Sequence, residues 1–159
     1  VMKSFFEFLN KELKGYKSDI ILSADLFGYA AVRAGDVGIG QRLQDIGDSF
    51  DYISFMVYPS HYYSGFFIPA DPGRGLPLEN LNVSQVRLRP DTVVHRSLLF
   101  ARDFLDGRLS TSSVTGFYGT TTLALAENPV PRSKARLRPW LEDFFHEEDK
   151  AAGRPYGKE

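Results

Sequence analysis

Apolar positions recur along the chain at two periods, one helical and one extended, and the two take turns. Phe5, Leu9 and Leu13, with Phe6 beside them, stand at helical spacing, and Gly15 sits where such a helix would stop. Residues 19–28 read Asp-Ile-Ile-Leu-Ser-Ala-Asp-Leu-Phe-Gly. The first half is a continuous apolar run, as expected of a parallel strand covered on both faces. A glycine-bearing loop occupies residues 29–40, and Leu43, Ile46 and Phe50 outline a short helix. Residues 52–58, Tyr-Ile-Ser-Phe-Met-Val-Tyr, form a second strand stopped by Pro59. The two strands begin about 30 residues apart, the length of one βαβ unit.

Residues 60–82 carry Gly65, Pro69, Pro72, Gly73, Gly75 and Pro77, so no regular element is expected there. After Pro90, the residues Val93, Val94, Leu98, Phe100, Ala101, Phe104 and Leu105 make the broad apolar stripe of a long helix. Asp91 or Thr92 could cap its start and Gly107 its end. Residues 110–136 are polar, threonine-rich and then punctuated by proline, and no element is assigned to them. Residues 137–144, Leu-Arg-Pro-Trp-Leu-Glu-Asp-Phe, are expected to hold a third strand. The expected organisation is an α/β domain over residues 1–145 followed by a charged tail, 146–159. Three parallel strands, near residues 19–26, 51–58 and 137–142, would form its sheet, with helices on the outer face.

Composition narrows the function more by exclusion than by assignment. The 159 residues hold 19 Lys and Arg against 20 Asp and Glu, so neither nucleic acid nor an anionic membrane surface is an expected partner. No apolar stretch reaches the roughly 18 residues of a membrane span, so no membrane insertion is expected. The absence of cysteine removes disulfides and thiolate metal sites without identifying a compartment.

The polar residues fall where a parallel sheet would use them, at the carboxyl ends of strands and in the loops that follow. Asp25 lies at the end of the first strand. Tyr58, His61, Tyr62 and Tyr63 cluster after the second, and Trp140 and Asp143 mark the third. Carboxylates among aromatic platforms suit a sugar site, with acids for the glycosidic bond and rings to stack on sugar faces.

Five blocks also occur here in a specific order. They are residues 23–31 (Ser-Ala-Asp-Leu-Phe-Gly-Tyr-Ala-Ala), 38–41 (Gly-Ile-Gly-Gln), 51–54 (Asp-Tyr-Ile-Ser), 56–62 (Met-Val-Tyr-Pro-Ser-His-Tyr) and 137–144. Over about residues 2–144 the chain resembles the bacterial glycoside-hydrolase-like family catalogued as domain of unknown function 4015. The resemblance implies a (β/α)8 TIM barrel of α-amylase-like type, of which this chain would supply roughly the C-terminal half. A full barrel takes about 250 residues, so its other strands would come from further sequence. By strand position, Asp25 would end strand five, His61 would follow strand six and Asp143 would end strand seven. Asp25 would then be the acid/base and Asp143 an assisting carboxylate, with Phe27, Tyr58, His61, Tyr62 and Trp140 contacting a carbohydrate substrate. The family's preceding strand carries an Asp in a Phe-Asp-Tyr-Val-Arg-Phe-Pro type motif, which is absent here and would hold the nucleophile. Phe55 stands where that family pattern would have Pro, and residues 65–136 are longer than usual for it. The resemblance admits a secreted or cell-envelope location, which the residues do not decide.

Each candidate has a structural alternative. Asp25 could bond a neighbouring loop and Asp143 could cap a turn. Tyr58 and Trp140 could belong to the core, while Tyr62 and Tyr63 could simply cover the barrel mouth. His61, His95 and His146 fit no ligand spacing, so no metal and no cofactor are predicted. Gly35, Gly38 and Gly40 are in the wrong order for a phosphate loop and read better as a flexible lid. Two functions follow: hydrolysis of a poly- or oligosaccharide by strand-end carboxylates, or sugar binding by a catalytically silent barrel domain. Phosphate binding is a distant third.

Overall fold

The computed structural model describes residues 2–33, 35–36, 38–112 and 119–142. Its regular elements run α1 (Met2–Tyr16), β1 (Ser23–Phe27), α2 (Leu43–Ile46), β2 (Tyr52–Val57), β3 (Phe66–Ile68), β4 (Glu79–Leu81), α3 (Val83–Leu88), α4 (Pro90–Leu105), β5 (Arg136–Leu137) and β6 (Trp140–Leu141). β1 lies parallel to β2, with Ser23 opposite Tyr52 and Phe27 opposite Met56. β5 and β6 also pair parallel with β2, placing Arg136 opposite Tyr52 and Trp140 opposite Met56. The fold is therefore mixed α/β with three parallel strand positions in one sheet, and among the described residues that sheet does not close into a barrel.

The third strand position is interrupted because Pro139 has no N–H to give the ladder. Arg138 still donates its amide to the Ile53 carbonyl at 2.9 Å, which keeps the two short segments in one line. β1 begins later than the apolar run suggested. Ile21 is exposed, while Leu22 is buried and its carbonyl accepts the amides of Asp51 and Tyr52. The run is thus the entry to the strand rather than its body.

Strand alternation gives the sheet two unlike faces. Ile53, Phe55 and Val57 are fully buried, and with Leu26 they join a core that includes Val93, Phe100, Ala101 and Phe104 of α4. The opposite face carries Ser23, Asp25 and Phe27 of β1, all exposed. A strand covered on both faces was expected, so this is a correction among the described residues.

α4 starts at Pro90, whose fixed φ suits a first helical position, and no side chain caps it. The expected caps Asp91 and Thr92 lie inside the first turn instead. The helix ends as expected, for Gly107 takes φ 72° and a Cβ there would lie 1.9 Å from the Val130 carbonyl oxygen. α1 runs past Gly15 to Tyr16, and its apolar stripe is poorly covered: Phe5 and Phe8 are exposed, while Phe6 packs edge-on against Phe50. Lys14 ties the helix to Asp51 at 2.9 Å. The Leu22 amide and Lys14 together hold the Asp51 carboxyl below its usual range.

Residues 60–82 correct the expectation of an irregular loop. β3 and β4 pair antiparallel there, too short for their period to be read, and bury Phe66, Ile68 and Leu81. Asn82 and Gln85 then form a reciprocal capping box at the start of α3. Buried arginine chemistry fastens this excursion to α4: Arg96 donates to the carbonyls of Pro69 and Pro77, each at 2.6 Å. Arg74 bridges the buried carboxylates Asp71 and Asp103, and these hydrogen bonds, Asp103 foremost, raise its pKa.

Candidate functional site

The open face of the sheet and the carboxyl ends of β1 and β2 make one continuous surface. Asp25, expected at the end of β1, stands instead at its middle, exposed and directly across from Ser54 of β2. Phe27 ends the strand, and its amide is fixed by the side-chain oxygen of Gln41 at 2.8 Å. One step beyond, Gly28 lets the backbone pass close to β2. A Cβ there would fall 2.6 Å from the Met56 carbonyl oxygen and 2.8 Å from the Tyr62 hydroxyl.

A cavity of about 140 Å³ opens at this rim, lined by Phe27, Gly28, Tyr29, Met56, Tyr58, His61 and Tyr62. His61 stacks edge-on with Tyr58 at 5.3 Å and tilts toward Tyr63 at 5.9 Å, so three rings form a short aromatic ridge. Tyr63 is 70% exposed, while Phe27 and Trp140 are each 51% exposed. Trp140 stands opposite Met56 and so shares the face with Asp25 and Phe27.

Tyr62 is placed differently from its neighbours. Its ring is buried against Tyr29 and Phe66, and its hydroxyl meets Ser97 at 3.4 Å, so it forms the floor of the rim rather than its surface. Burial drives its phenol pKa well above the usual value. The structure thus brings Asp25, Phe27, Tyr58, His61 and Trp140 to one surface and sets Tyr62 beneath them. Asp143 and His146 lie outside the described residues.

Several residues at this surface were not singled out from the chain. Glu142 accepts the Ser60 amide at 3.0 Å, anchoring the turn that carries His61 to the end of β6. Arg138 lies over the Tyr52 ring, 5.1 Å from its centroid, and reaches Ser23. Only the alternation of residues 136–142 could have signalled them, by putting Arg136, Arg138, Trp140 and Glu142 on one side.

In the glycine loop Asp36 accepts the amides of Gly38, Ile39 and Gly40 at 3.0, 3.2 and 2.9 Å, so these three are not open to a phosphate. No group of three potential metal ligands occurs among the described residues. A larger cavity, about 650 Å³ and lined by Lys14, Asp51, Tyr52 and Lys134 among others, opens at the other end of the sheet, where β2 and β5 begin. Its volume alone does not make it the site, because parallel sheets present chemistry at strand carboxyl ends.

The structure is a mixed α/β domain that carries an exposed carboxylate and exposed aromatic rings on a parallel sheet. The family comparison gives its class: the chain belongs to the domain of unknown function 4015 family, whose model, described as "Putative glycosyl hydrolase domain", matches residues 1–159. That membership supports a general glycoside-hydrolase role. No curated protein and no solved structure matches the chain.

Proposed function

We propose that the chain contributes part of the site of a glycoside hydrolase acting on a poly- or oligosaccharide. The carrying observation is the exposed Asp25 on the open face of a parallel sheet, one pleat below the row that Phe27, Met56 and Trp140 form across the strands, in a chain of the family described as a glycosyl hydrolase domain. Asp25 acts as the acid/base: it protonates the leaving oxygen, then takes a proton from water or leaves that step to a partner carboxylate. Asp143, two residues beyond β6, assists from the third strand position. Phe27 and Trp140 stack on sugar faces, Tyr58 and His61 bound the substrate at the rim, and Tyr62 supports them from below. The nucleophile or second carboxylate comes from another strand. In this reading the sheet is one arc of a (β/α)8 barrel, with α4 outside and the Asp25 face turned toward the barrel axis.

Sugar binding without turnover is the second reading. It is favoured by one observation: among the described residues, Asp25 is the sole carboxylate on the open face not engaged by a backbone amide, and hydrolysis needs two. Incubating the full-length protein with a polysaccharide panel and measuring reducing-end release separates the two. Release from at least one glycan supports the hydrolase, whereas saturable binding with no release from any glycan supports the binder.

A further inference from the structure

The open face carries further charges besides Asp25, and one of them, Arg138, has no carboxylate within ion-pair distance among the described residues. Arg138 leaves the sheet beside β2, crosses over the Tyr52 ring with its Cζ 5.1 Å from the centroid, and ends with Nη2 3.4 Å from the Ser23 hydroxyl. Ser23 in turn lies 3.2 Å from the Ser54 hydroxyl. The guanidinium is therefore held by a ring and a hydroxyl, and among the described residues no carboxylate stands within ion-pair distance of it. Three other arginines among the described residues behave otherwise. Arg74 and Arg89 are paired with carboxylates, and Arg96 is spent on two carbonyls.

The place of this cation relative to Asp25 follows from the register. Ser23 and Asp25 lie two residues apart on the same face of β1, so their Cα atoms are about 7 Å apart. A group bound by Arg138 would thus sit one pleat below Asp25, within the footprint of a single sugar bound at that carboxylate. A neutral sugar closing over this surface would strip water from a permanent cation and return no charge, which is costly. A carboxylate on the sugar removes that cost, and the planar guanidinium edge left free by the Tyr52 stack matches it in a two-bond fork.

Resting on the hydrolase reading, we propose that Arg138 is the specificity-determining residue of this site and that the sugar bound beside Asp25 is a uronate. The positively charged edge selects the C6 carboxylate, while Tyr52 and Ser23 keep the guanidinium in place before substrate arrives. Asp25 then works on the glycosidic bond of a sugar already oriented by its acid group.

The test is calorimetric binding to the full-length protein of tetrasaccharides of galacturonate, glucuronate and mannuronate. Their neutral counterparts and a sulfated galactan oligosaccharide serve as further arms, with melting curves alongside. One uronate series is expected to bind at least 10-fold more tightly than its neutral counterpart. Arg138→Gln should lower that affinity by about 10- to 100-fold, the size of a charge-assisted hydrogen bond. It should raise neutral-sugar affinity, since the cost of desolvating the cation is gone, and leave the melting temperature within about 1–2 °C, and Arg138→Lys should recover part of the loss. Equal binding of acidic and neutral sugars by the unaltered protein overturns the proposal whatever the variants do, and leaves the hydrolase reading standing if reducing ends are still released. Preference for the sulfated arm overturns the carboxylate assignment. No binding in any arm overturns the inference, while the parent reading is decided separately by reducing-end release on the polysaccharide panel.

Discussion

Arg74 offers the most demanding test of how the β3–β4 excursion is held to α4. It donates Nη1 to Asp71 at 2.5 Å and to Asp103 at 2.7 Å, and Nη2 to Asp103 at 2.8 Å. The side chains of Asp71 and Asp103 are only 5% and 2% exposed, whereas Arg74 is 35% exposed. Arg74→Met therefore leaves two buried carboxylates without their shared cation, and Arg108, 3.6 Å from Asp103, compensates for only one of them. Breaking a buried pair by removing one partner costs about 3–5 kcal/mol, and the partial exposure of Arg74 places this case near about 3 kcal/mol. In a domain of this size that is a fall of about 6–12 °C in melting temperature. Asp103→Leu alone should cost less, because Arg74 keeps Asp71. The double variant should be more stable than Arg74→Met, since one unpaired charge is gone. Thermal unfolding of the full-length protein and the three variants closes the cycle. A loss below about 1 kcal/mol for Arg74→Met, or strict additivity in the double variant, would refute the claim that this cluster carries the excursion.

Two further outcomes follow from local geometry. Gly107→Ala must place a methyl group against the Val130 carbonyl in a left-handed backbone, so a loss of about 2–4 kcal/mol is expected in denaturant melts, and a loss under 1 would show that the helix end is not constrained. Burial raises the Tyr62 pKa above its unfolded value of about 10, so its contribution is complete below pH about 10 and lost as pH rises toward the folded value. Tyr62→Phe should flatten the alkaline limb of the stability profile while costing about 1 kcal/mol at neutral pH through the lost Ser97 contact; an unchanged alkaline limb would contradict this.

The sheet was legible in the chain because its residues carry two signals at once: β-branched and aromatic residues at alternate positions, and a βαβ spacing. Residues 52–58 read as a strand, and in it Ile53, Phe55 and Val57 form the face buried in the core. α4 was legible for the same reason, through a long apolar stripe and Gly107 at its end. The hairpin of β3 and β4 was not, since three-residue strands are shorter than any period that could reveal them, and their prolines and glycines argue for loop. α1 misled in the opposite sense, for its apolar stripe predicts a covered helix face, and only Phe6 finds a ring partner among the described core residues. At the site, Trp140 stands at the third strand position as expected, whereas Asp25, read as the end of the first strand, lies two residues before that end. Tyr62 could not be told from Tyr63, because adjacent residues in a turn follow no period, and it is packing against Tyr29, Phe66 and Ser97 that buries one and leaves the other exposed. Arg138 was hidden for another reason: what distinguishes it is the Tyr52 ring beneath it, a contact between strands that no single stretch of sequence records.

The central claim is that Asp25 does chemistry, and turnover of Asp25→Asn measures it most directly. Asparagine keeps the shape of the side chain on an exposed face, so the fold should be untouched and the melting temperature within about 1–2 °C of the parent. On whichever glycan releases reducing ends, the variant should lose about 10²- to 10⁴-fold in kcat, the usual worth of general acid–base catalysis, with KM changed far less. Undiminished turnover by a folded Asp25→Asn protein would contradict the account, and a collapsed melting temperature would instead make Asp25 a structural residue of the sheet.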